Sequence, residues 1–169
     1  YIQMDMYNLK ELVTRLIAGS SIEINPDKFQ NDMTTFASAD DVLTLLVHLG
    51  YLTYDFDTCT VHIPNQEVQK EFINCIEDGG WEPVMDAIRK SEELLAATIR
   101  GEEETVARMI ENAHQENTSI LAYNDENSLA CVIALAYYSA KKNYVVYREL
   151  AGGKGFADMV FVPRKTTQT

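Results

Sequence analysis

Apolar residues in this chain come in short blocks at helical spacing, and nearly every block is closed by glycine. Leu9, Leu12, Val13, Leu16 and Ile17 recur at i, i+3, i+4, i+7 and i+8 ahead of Gly19. Val42–Leu49 runs into Gly50, and Val68, Phe72, Ile73 and Ile76 precede Gly79-Gly80. Val84, Ile88, Leu94, Leu95 and Ile99 stop at Gly101. This period buries one face of a helix, and glycine supplies the left-handed turn that ends one. The spacing predicts helices over about 5–18, from Asp40 to Gly50, from Val68 to the Gly pair, from Pro83 to Gly101 and from Glu102 to about Glu116. Ser38 ahead of Asp40-Asp41 reads as a cap. Asn124-Asp125-Glu126-Asn127 caps a further apolar helix expected to run from Leu129 through Ala140 and end in Lys141-Lys142.

No block approaches the roughly 18 apolar residues of a membrane span. With 46% hydrophobic and 24% charged residues the chain can bury a sizeable core. Tyr51–Tyr54 and Thr60–Ile63 read as two strands around the loop Asp55–Cys59. Helices followed by such a hairpin suggest a winged-helix-like unit. Its 1–65 stretch holds three Lys and Arg against nine acids, and Asp40–Gly50 has no Lys or Arg, so packing against protein is favoured there over reading DNA. Tyr144–Leu150 and Phe156–Val162 read as a second hairpin, its turn Gly152-Gly153-Lys154-Gly155 and its stop Pro163. That turn lacks the spacing of a phosphate loop, and its expected arrangement exposes Lys154 and Arg148 beside Glu149 and Asp158. The fold class is α+β, mostly helical, with a boundary between Pro64 and Gly80 separating 1–65 from 66–169.

The formal net charge of −12 opposes a protein whose whole surface grips nucleic acid or anionic membrane. Charge is uneven, however: residues 141–169 hold six Lys and Arg against Glu149 and Asp158, a local balance of +4. A basic segment around a few acids suits a metal-dependent phosphodiesterase, because cations attract the backbone while carboxylates hold the ion. Solvated charge on a helix end and a sheet would give the same balance. Cys59, Cys75 and Cys131 form no C-x-x-C pair and compose no zinc set with His48, His62 and His114, so they read as structural thiols of a cytoplasmic protein. Glu102-Glu103-Glu104 reads as a solvated helix start and Trp81 as a core or lid anchor.

Asn124-Asp125-Glu126-Asn127-Ser128-Leu129, Ala136-Tyr137-Tyr138-Ser139-Ala140, Arg148-Glu149-Leu150 and Gly153-Lys154-Gly155-Phe156-Ala157-Asp158 closely resemble the C-terminal region of bacterial AAA-ATPase-like proteins. That region is assigned to the PD-(D/E)XK nuclease superfamily. Gly50-Tyr51-Leu52-Thr53 and Ile63-Pro64-Asn65-Gln66-Glu67-Val68 resemble the segment that joins ATPase to nuclease in the same proteins. The resemblance implies a winged-helix-like lid over 1–65, then helices and the start of a nuclease-like α/β core. It implies that Asp158 is the motif carboxylate and metal ligand and that Glu126 is the helical acid. Arg148 and Lys154 are the expected nucleic-acid contacts.

The Glu-x-Lys that completes the superfamily's metal site is not among these residues, and Ala157 stands where the motif has proline. No Gly-x-x-x-x-Gly-Lys-Ser/Thr occurs either. The expectation is a fragment of a longer protein. Metal-dependent phosphodiester hydrolysis, with Mg2+ or Mn2+, belongs to the complete protein, and this chain is inactive. Its expected partners are the upstream ATPase domain, nucleic acid near 141–165 and further copies of itself, with no membrane. The alternative is a non-catalytic interaction module on a degenerate nuclease-like fold, and a sequence-specific transcription factor ranks last.

Overall fold

The computed structural model describes residues 8–26, 36, 38–79, 81–117, 121, 126–151 and 156–165. The element order is α1 (Leu9–Ala18), β1 (Ile22–Glu23), α2 (Ala39–His48), β2 (Thr53–Asp55), β3 (Thr60–His62), α3 (Gln66–Asp78), α4 (Glu82–Arg100), α5 (Glu103–Asn117), α6 (Glu126–Ala136), a 3-10 turn (Tyr138–Lys142), β4 (Tyr144–Ala151) and β5 (Phe156–Pro163). The described part is thus mostly helical with two small antiparallel sheets, an α+β architecture.

Local chemistry sets the helix ends. The Ser38 hydroxyl accepts from Asp41 N–H while the Asp41 carboxylate accepts from Ser38 N–H, so two otherwise orphaned donors at the start of α2 are satisfied. Asn65 Oδ1 does the same for α3 by accepting from Val68 N–H at 2.9 Å. Gly19 closes α1 at φ +98 and Gly101 closes α4 at φ +73, backbone conformations that side chains beyond glycine adopt with strain. Pro83 sits in the first turn of α4, where its missing N–H costs nothing.

The first sheet has the order β1-β3-β2. Asp55 Oδ1 accepts from the N–H groups of Asp57 and Thr58 and shapes the β2–β3 loop. Cys59, at φ +54, presents its carbonyl to Ile24 N–H just beyond β1. Two-residue β1 was not foreseen, since so short a strand leaves no alternation to read. One connected cluster of buried side chains holds the elements together, with Leu16 and Ile17 of α1, Leu43 of α2, Val61 of β3, Ile76 of α3, Leu94 of α4 and Leu135 of α6. Residues on both sides of the expected 64–80 boundary therefore contribute to the same buried cluster. Trp81, 2% exposed, is one of its members.

The apolar helix expected to run through Ala140 ends at Ala136, and the chain tightens into the 3-10 turn. The reason is tertiary: Ser139 N–H donates to Ser91 Oγ on α4, and the hydroxyls of Tyr137 and Thr98 lie 2.7 Å apart. The Ser139 N–H thereby goes to α4 instead of a helical carbonyl. Residues 5–7 of the first expected helix lie outside the described ones, as do Asn124 and Asp125 of the expected cap and the turn 152–155.

Ile76 is fully buried, whereas Phe56 at the loop tip is 85% exposed. Ile76→Ala should lower unfolding free energy by about 2–5 kcal/mol, and Phe56→Ala by less than about 0.5 kcal/mol. Urea unfolding followed by Trp81 fluorescence measures both, and comparable losses would contradict this assignment of the core.

Candidate functional site

The second hairpin carries the residues singled out by the sequence. Its register pairs Tyr144 with Pro163, Val146 with Phe161, Arg148 with Met159 and Leu150 with Ala157. Strand alternation then divides the hairpin into two faces. Tyr144, Val146, Met159 and Phe161 pack on the core, and Phe161 lies 5.1 Å from the Tyr137 ring. Asp158, Tyr147 and Val162 are exposed on the other face.

Arg148 belongs to the inward face. Its Nη1 donates to Ser20 Oγ at 2.9 Å, just past the end of α1, and the side chain is half-buried. The expectation that Arg148 lies exposed beside Asp158 is therefore corrected. Odd and even positions of β4 face opposite ways, and the apolar residues of Tyr144-Val145-Val146-Tyr147 fall on both, so the sequence pattern leaves the choice of face open. Glu126 is the first residue of α6, with its side chain outside the described ones, and Lys154 also lies outside them. The hairpin thus exposes Asp158 on its outer face and sends Arg148 to the inner one.

Other cations of the basic segment are also engaged internally. Lys141 Nζ donates to the carbonyl of Ile17 at 3.2 Å, Lys142 pairs with Glu92, and Arg164 Nε donates to the carbonyl of Lys141. Sequence counting treated Lys141 as part of a solvated basic run. Its partner lies 124 residues away and leaves no local signal.

Buried Cys131 of α6 feels Arg15, Arg148 and Lys141, yet burial dominates and pushes its thiol up to about 11, away from reactivity at neutral pH. Cys59 is exposed and Cys75 half-buried, and none of the three is in a disulfide.

Among the described residues no group of three or more His, Cys, Asp and Glu side chains stands where a metal ion could be held. A lone exposed carboxylate such as Asp158 leaves Mg2+ mostly hydrated, so the described donors do not fit a resident ion, and no hydrolytic step is assigned to them. No described helix is long and apolar enough to cross a membrane. Comparison of the chain with protein-family models, curated proteins and solved structures finds no match.

Burial holds the Lys141 ammonium down to about 8. A lysine in the unfolded chain titrates near 10.4, so between about pH 8 and 10.4 the unfolded state binds more protons and stability rises with pH. The penalty is present in full below about pH 8 and gone above about 10.4. Denaturation of the native chain and of Lys141→Met across this window should show the native chain gaining about 3 kcal/mol relative to the variant. Parallel pH profiles would contradict the burial of a charged Lys141.

Proposed function

We propose that the chain is part of an AAA-ATPase-like protein whose C-terminal region is of the PD-(D/E)XK nuclease type, and that β4–β5 is the opening hairpin of that nuclease core. The observation that carries the reading is the antiparallel β4–β5 hairpin itself, paired from Tyr144 opposite Pro163 to Ala151 opposite Phe156, with Asp158 exposed on its outer face. Each strand of this two-stranded sheet keeps one edge unpaired among the described residues, which supports addition of a further strand bearing the missing donors. Helix α1 before β1, α2 before β2 and the order β1-β3-β2 support a winged-helix-like lid ahead of it.

On this reading the chain itself recruits a divalent ion weakly and does not cleave DNA. Adding about 1 mM Mn2+ to the 15N-labelled chain should broaden amide signals of 148–150 and 157–159 selectively, and Asp158→Asn should abolish the effect. Uniform broadening, or broadening unchanged in the variant, would overturn the metal assignment. DNA cleavage by the chain that Asp158→Asn removes would overturn its inactivity.

The second reading, a non-catalytic protein-interaction module, is favoured by the internal engagement of Lys141 and Arg148, which withdraws two cations of the basic segment from nucleic acid. Asp158 instead shares its face with exposed Tyr147 and Val162. Salt-dependent binding of a labelled DNA duplex by the chain would count against this reading.

A further inference from the structure

The end of α1, the β2–β3 hairpin and the start of α3 enclose a cleft of about 620 Å3, a volume in the range of small-molecule sites. It lies apart from the β4–β5 carboxylates and uses none of them. Because Gly19 turns the chain back at φ +98, Ser20 reaches the wall. Strand alternation sends Val61 into the core and leaves its neighbours Thr60 and His62 lining the cleft. The start of α3 contributes Asn65 and, one turn on, Gln69, so a helix N-terminus with its partial positive charge borders the space.

The cation at this wall is Lys141. Its ammonium donates to the Ile17 carbonyl and lies 5.2 Å from the Tyr138 ring centre. A Cβ on Gly19 would stand 3.7 Å from Nζ, so the bare glycine leaves that side of the ammonium open. Acids outnumber Lys and Arg by 26 to 14 in this chain, and Arg15, Arg89, Lys90, Arg100 and Lys142 all pair with a carboxylate. Lys141 pairs with none among the described residues, although its ammonium has three donors and Ile17 accepts one. Asp55 also lines the cleft, but its Oδ1 is turned into the hairpin loop by the N–H groups of Asp57 and Thr58.

We propose that this cleft binds a small organic phosphate, with Lys141 and His62 donating to the phosphate oxygens and Ser20, Thr60 and Gln69 meeting the hydroxyls of the organic part. Several converging donors suit an anion with three acceptor oxygens better than a carboxylate with two. The volume leaves room beyond a bare ion. Gln69 already donates to the Ile17 carbonyl at 2.6 Å, so it offers its amide oxygen to a ligand hydroxyl.

The test is a titration of the 15N-labelled full chain with glycerol 3-phosphate, inorganic phosphate, acetate and sodium chloride at matched ionic strength. Glycerol 3-phosphate should shift the amides of Ser20, Thr60, His62 and 65–69 saturably, with Kd of roughly 1 mM or below, more tightly than inorganic phosphate and far more tightly than acetate. Lys141→Met and His62→Gln should each weaken binding by about tenfold or more. Lys141 also caps α1, so His62→Gln carries the test if the first variant fails to fold. The proposal is overturned by no saturable shift up to about 50 mM, by equal shifts with chloride, by acetate or inorganic phosphate binding as well as the organic phosphate, or by undiminished binding in His62→Gln.

Discussion

The C-terminal end of α1 is the point on which distant parts of the chain converge. The last carbonyls of a helix have no partner within it, and burying them unsatisfied would be costly. Here the Ile17 carbonyl takes one hydrogen bond from Gln69 of α3 and one from Lys141 of the 3-10 turn, while Ser20 just beyond takes one from Arg148 of β4. A cation at this end also complements the helix dipole. Three segments separated by 52 to 128 residues are thereby fixed to one helix end.

The same convergence shapes both sites. Arg148 turns toward Ser20 on the face by which Tyr144 and Val146 meet the core, and Asp158 stays on the outer face. Drawing Lys141 beside Gly19 puts a cation with no carboxylate partner among the described residues next to the hydroxyl and amide groups of the cleft. Lys141 and Arg148, which count as part of a basic run in the sequence, are therefore engaged in fastening this helix end.

Local signals were legible. The cap at Ser38, the glycine stops after α1 and α4 and both hairpins follow from short-range chemistry and occur where the spacing predicts. The missed features depend on long-range partners: Ser91 sets the end of α6, Ser20 decides the face of Arg148, and two-residue β1 exists through pairing with β3. Of the candidate site, the hairpin holding Asp158 was legible in alternation and glycine, while the cleft, assembled from α1, β2–β3, α3 and Lys141, had no signature in any one stretch.

The α1 end couples the first helix to the last hairpin through Ser20 and Arg148. Native-state hydrogen exchange of the full chain measures this directly. The slowest amides of α1, α6 and β4 should exchange with the same opening free energy, near that of global unfolding. Arg148→Met should lower all three sets together. Exchange of the β4 amides at a much lower free energy than those of α1, or a loss in Arg148→Met confined to β4, would contradict the coupling.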